Sequence, residues 1–176
     1  QAHRGRFDAL PRWFRALAGL ITLGLAWLGI IAIHSRPVDG PFWLTLLMGL
    51  VWGADIGGYF AGRRYGSRKL APGISPGKTW EGVAGGLILG LLIAVILERA
   101  AASVLPGLPE LAWLLPVAAM VIALSVIGDL AESLLKRQAG VKDSGQLLPG
   151  HGGMLDRIDA LLAAAPVMAA ALMRVG

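Results

Sequence analysis

The sequence predicts an all-α fold: a polytopic integral membrane helix bundle with about five transmembrane helices. Composition is the first indication. Hydrophobic residues fill 56% of the 176 positions and charged residues only 15%, against about a quarter charged in an ordinary soluble domain, and mean hydropathy is +0.67. The second is segregation, because the apolar residues gather into runs close to the ~20 residues needed to cross a bilayer as a helix. The third is the placement of Lys and Arg, which separates the connections into two sides.

The elements follow in order. Residues 16–33 contain no charge, and at 1.5 Å per residue this run makes about 27 Å of helix, close to a hydrocarbon core. His34 to Pro41 is a short turn-rich connector. A second run, 42–61, is interrupted only by Asp55. The stretch 62–81 carries Gly66, Pro72, Gly73, Pro76 and Gly77 and is expected to be a loop. The third run, 82–97, holds Gly85, Gly86 and Gly90, small residues that let membrane helices approach closely. Pro106 and Pro109 mark the next connector. The fourth run, 111–128, includes Pro116, an expected kink. That helix is expected to continue past the membrane through Asp129 towards Arg137, within a polar segment 130–157. A fifth, alanine-rich helix covers 158–175. The chain opens at Gln1, not Met, on a basic, loop-like stretch, which leads to the expectation that the upstream part of a longer protein is missing.

Alternating these spans from a cytoplasmic N-terminus puts 13 of the 16 Lys and Arg on the cytoplasmic side and only Arg36, Arg99 and Arg174 opposite. The positive-inside rule favours this orientation. Loops 62–81 and 130–157 then share the cytoplasmic face of a cell membrane and can build one site. The net charge of +5 reads first as topology and second as affinity for an anion. There is no cysteine, which excludes disulfides and thiolate metal sites, and no motif for RNA or DNA binding is present.

The chemistry is concentrated between Asp129 and Asp159. Asp129, Glu132, Ser133 and Lys136 are spaced i, i+3, i+4 and i+7 and share one helix face. Asp129 ends one span and Asp156 begins the next, so two hard carboxylates at one depth suit Mg²⁺. Asp156 also fits helix capping, and Asp159 fits capping and cation binding equally. Lys136, Arg137 and Lys142 anchor the membrane surface by sign, but their mixture with Ser133 and Asp143 suits a phosphate clamp. Pro149 to Gly153 is a glycine-rich turn whose amides, with the helix start behind it, suit an anion. His151, Gly152 and Gly153 are candidate contacts in that turn. Upstream, Ser75, Lys78 and Thr79 offer further phosphate contacts, although Gly77-Lys78-Thr79 is no P-loop: residue 72 is Pro and no strand is expected ahead of it. Asp55, an acid within a span, marks either a polar cavity or a helix-packing hydrogen bond.

Taken together these residues resemble the CDP-diacylglycerol synthases, or phosphatidate cytidylyltransferases. Their signature Ser-x-x-Lys-Arg, Lys-Asp, Pro-Gly-His-Gly-Gly-x-x-Asp-Arg-x-Asp is filled by Ser133, Lys136, Arg137, Lys142, Asp143, Pro149 to Gly153, Asp156, Arg157 and Asp159. Ser75, Pro76, Lys78, Thr79, Glu81 and Gly82 match an upstream element, and Asp55 with Gly62-Arg63-Arg64-Tyr65-Gly66 matches another. The resemblance implies that CTP and phosphatidate give CDP-diacylglycerol and pyrophosphate in phospholipid biosynthesis. It implies Mg²⁺ on Asp129 and Asp156, with K⁺ as a second ion. Ser133, Lys136, Arg137, Lys142 and Arg157 would neutralise phosphates, while Asp143 and Asp159 would orient the cations. A homodimer is expected. The alternatives are a CTP-dependent enzyme acting on an ether-lipid phosphate or a polyprenol, and, from another class, an ion-coupled transporter using Asp55 and Asp129.

Overall fold

The computed structural model describes residues 11–141, 144–145 and 153–174. Among these, five helices and one short hairpin follow one another: α1 Arg12–His34, α2 Gly40–Tyr65, β1 Lys69–Ala71, β2 Ser75–Thr79, α3 Trp80–Ala101, α4 Leu111–Gln138 and α5 Leu155–Leu172. The first four helices are each long and apolar enough to cross a membrane. The apolar part of α5, Ile158–Leu172, is shorter, and its 15 residues make only about 22 Å of helix. Large apolar side chains face outward along α1, with Leu20 and Trp27 about two-thirds exposed, as lipid rather than water requires.

The connector after α1 is rigid. The Arg36 guanidinium grips the Asp39 carboxylate with two bonds, of 2.8 and 3.0 Å. Trp43 Nε1 donates to the same carboxylate at 2.7 Å. Chiefly through Arg36, and then Trp43, Asp39 is held below the usual carboxylate range. Asp39 is the N-cap residue of α2, and Pro41 lies in that helix's first turn, where its missing N–H costs nothing.

The helices α2 and α3 share the largest interface, and glycine makes it close. A Cβ at Gly86 would lie 2.5 Å from the Ala54 carbonyl oxygen, and one at Gly57 equally near that of Gly85. The expectation that Gly85, Gly86 and Gly90 serve packing is met, and Gly57 joins them. Behind them, Trp43, Leu46, Leu47 and Leu50 of α2 meet Ala118, Val121 and Ile122 of α4 and Ala164, Ala165 and Met168 of α5 in one core. Packing of α1 against α5 brings Gly29 against the backbone at Ala165 and Pro166.

One expectation changes. Residues 62–81 contain an antiparallel hairpin, with Lys69 opposite Thr79 and Ala71 opposite Ser75. A strand does therefore precede Gly77-Lys78-Thr79, but it is a hairpin partner, and Lys78 and Thr79 themselves lie in β2; the P-loop remains excluded. The helix α4 runs unbroken from Leu111 to Gln138 despite Pro116. Its 28 residues span about 42 Å, more than the ~30 Å core, so its last turns project from the membrane. The expected continuation past Asp129 is present.

Candidate active site

The hairpin places the upstream motif. The Glu81 carboxylate, in the first turn of α3, turns back to accept from Ser67 Oγ at 2.7 Å and from the Ser67 and Arg68 amides at 3.2 Å. This pins the link between α2 and β1 to the start of α3. Thr79 is buried and is the N-cap of α3; its Oγ1 accepts from the Gly82 amide at 3.1 Å. The hydroxyl expected to contact phosphate is thus engaged in ending one element and starting the next.

With both ends tied, β2 closes one side of a cavity of about 320 Å³. Asp55 and Tyr59 line it from α2, Ser75, Lys78 and Thr79 from β2, and Ile122 and Val126 from α4. Asp55 thus borders a polar cavity, one of the two places expected for it, and has no side-chain hydrogen-bond partner among the described residues. Arg63 Nη1 donates to Tyr59 Oη at 2.6 Å, setting a cation beside the aromatic wall.

From this cavity Lys78 forms an ion pair with Asp129 of α4. Ser133 Oγ, one turn further on, donates to the other Asp129 oxygen over a long 3.4 Å. At the end of α4, Arg137 Nε reaches the Ile74 carbonyl in the hairpin turn at 3.4 Å. The two polar segments expected to share one face therefore do meet, through Lys78–Asp129 and Arg137–Ile74.

A second knot lies on the adjoining side of α4. Lys136 forms an ion pair with Glu132 one turn back and donates to Asp156 at 2.7 Å. Asp156 also accepts from the Ser144 amide and Oγ, each at 2.9 Å, and from the Gly153 amide at 2.7 Å. The Lys136 bond foremost, with the amide and hydroxyl donors, holds the Asp156 carboxyl well below the usual range. Glu132 and Asp159 both line a second, largely apolar groove of about 430 Å³ between α1, α4 and α5.

Lys142, Asp143, His151 and Gly152 lie outside the described residues, as does the Arg157 side chain. Among the described residues no three His, Asp or Glu side chains converge as a ready metal cluster. Asp129 offers hard oxygen donors of the type Mg²⁺ prefers, balanced here by Lys78. The four donors on Asp156 leave its carboxylate organising the chain around it. Sequence reasoning set Glu132 on the charged face of α4 without naming its partner, and gave no role to Ser144 or Tyr59. The i, i+4 spacing of Glu132 and Lys136 was the one available signal; Ser144 carries none, because its partner is reached only through the fold.

A family model described as the cytidylyltransferase family matches residues 8–175. The phosphatidate cytidylyltransferase of Pseudomonas aeruginosa is 49% identical over 165 residues, covering 94% of this chain and 59% of that protein. That of Haemophilus influenzae is 52% identical over 130 residues, 74% of this chain and 45% of its own. That of Bacillus subtilis is 39% identical over 155 residues, 85% of this chain and 56% of its own. The chain spans about half the length of these curated relatives. With membrane-length helices, the hairpin and the Asp129–Asp159 block all inside the matched region, the chain belongs to the cytidylyltransferase family.

Proposed function

We propose that this chain carries the catalytic portion of a phosphatidate cytidylyltransferase, joining CTP to phosphatidate to give CDP-diacylglycerol and pyrophosphate. The observation that carries the reading is the Lys78–Asp129 ion pair. It ties the polar end of α4 to a cavity lined by Ser75 and Lys78 of the hairpin and Asp55 of α2, beside helices long enough to hold a lipid substrate in the bilayer. A lipid phosphate and a water-soluble nucleotide need such a meeting place.

In the reaction a phosphatidate oxygen attacks the α-phosphorus of CTP. A new P–O bond forms, the bond to the β-phosphate oxygen breaks, and pyrophosphate leaves. The nucleophile is already an anion, so the protein's work is to orient both phosphates and to offset their charge. Lys78, Ser75, Ser133, Lys136 and Arg137 are the described residues proposed for this, joined by Lys142 and Arg157; His151, Gly152 and Gly153 are proposed phosphate-loop contacts. Asp129 and Asp156 would hold Mg²⁺, with K⁺ nearby, and the metal would supply further neutralisation of phosphate charge. Asp143 and Asp159 would orient the cations. The positive-inside asymmetry supports a site open to the cytoplasm. A homodimer in the cell membrane belongs to the same proposal.

The test gives the full-length protein, in membranes, radiolabelled CTP, phosphatidate and Mg²⁺. Labelled CDP-lipid with equimolar pyrophosphate is expected. Neither product from phosphatidate, with turnover on a polyprenol or an ether-lipid phosphate instead, would overturn the proposed acceptor. No turnover with any of them would overturn the reaction.

A further inference from the structure

Glu132 is the one buried charged residue among those described, at 7% exposure. A carboxylate removed from solvent is costly unless a cation faces it. Here that cation is Lys136, one helical turn on, itself only 19% exposed. The two are held together as an ion pair. Lys136 also donates to Asp156, at 2.7 Å. Asp156 in turn draws together Ser144 and Gly153, the two ends of the segment that contains most of the glycine-rich turn.

We infer that Glu132 is a positioning residue: its buried charge fixes Lys136 against Asp156, and through that carboxylate sets the ends of segment 144–153 beside α4. Lys136 is thereby a strut between two acids from different elements. An acid at 132 is required for its charge, not its bulk. The consequence for turnover rests on the proposed cytidylyl transfer; the placement of Ser144 and Gly153 does not.

Two substitutions separate charge from volume. Glu132→Gln keeps the size and loses the charge, whereas Glu132→Asp keeps the charge and loses a methylene. Amide hydrogen exchange over peptides covering 141–158 is read on the full-length protein in detergent. The segment in Glu132→Gln is expected to exchange about tenfold faster, as for a local opening made easier, with Glu132→Asp nearer to wild type. Turnover should follow the same order, kcat falling about tenfold in Glu132→Gln while KM for CTP changes less than twofold. The reverse order, with Glu132→Gln like wild type and Glu132→Asp impaired, would mean that Glu132 only fills space and would overturn the inference.

If Glu132→Gln does not fold, the pair is tested through its partner. Lys136→Met leaves Glu132 buried and unpaired, so the single variant should melt below the Glu132→Gln/Lys136→Met double variant. A double variant no more stable than Lys136→Met overturns the inference. An exchange pattern that follows charge, in a wild-type protein that transfers no cytidylyl group, supports the strut and removes the proposed reaction instead.

Discussion

Lys78 of the hairpin, which lines the cavity, and Asp129 of α4 form an ion pair, both about a quarter exposed. The pair joins two segments far apart in the chain, and each is neutralised by the other rather than by solvent. Removing either charge leaves its partner uncompensated in a partly desolvated place. Lys78→Met and Asp129→Asn should each lower cytidylyl transfer about 100-fold or more, the scale of losing one group that stabilises developing charge. Both proteins should still extract and purify as folded species. Near-wild-type kcat/KM in either variant removes that residue from the site.

Thr79 and Ser75 should behave differently although they line the same cavity. Loss of the Thr79 cap in Thr79→Ala should cost about 1 kcal/mol of stability, with activity falling only as the folded fraction does. Ser75→Ala should leave the melting temperature unchanged and raise KM for CTP. A Thr79→Ala protein of normal stability with a raised KM would return that hydroxyl to the substrate.

The α2–α3 contact should be the most sensitive to added volume. Gly86→Ala puts a methyl group 2.5 Å from the Ala54 carbonyl oxygen and should destabilise by about 1–3 kcal/mol, as overpacking does. Gly24→Ala, with nothing within 4 Å of its Cβ, is the control and should melt within a degree or two of wild type. Equal melting temperatures for the two variants would show that α2 and α3 do not meet as described.

The connector at Asp39 should give an acid-sensitive contribution to stability. Arg36 and Trp43 hold its carboxyl below the usual range, so folding favours the ionised form. That contribution is complete above the unfolded-chain value of about 3.9, and is lost as pH falls through the lower folded value. Melting temperature measured between pH 6 and pH 2.5 should therefore drop more steeply in wild type than in Asp39→Asn. Activity at neutral pH should be little changed, since Asp39 is remote from the cavity. Parallel curves would exclude the contribution.

Much of this architecture was legible before any coordinates. Transmembrane helices need only length and uninterrupted hydrophobicity, which are local properties, and four long runs became four long helices. Gly85, Gly86 and Gly90 announced a close approach by their small size. The hairpin was hidden because Pro72, Gly73, Pro76 and Gly77 read as loop, and short strands are held by their pairing and by the distant Glu81 carboxylate more than by propensity.

Side-chain roles divide in the same way. Residue type alone marked Asp55, Lys78, Asp129, Lys136 and Asp156 as chemically active, since charge beside apolar helices is expensive wherever the chain places it. Which partner each charge meets was decided only by the tertiary structure. Lys78 finds Asp129 because the hairpin folds back beneath α4. Lys136 lies between Glu132 and Asp156 because α5 begins beside the projecting end of α4. Thr79 spends its hydroxyl on a helix cap because a buried amide stands three residues on. Ion pairing and hydrogen bonding act over a few ångströms in space, and sequence spacing reports that distance only within one helix.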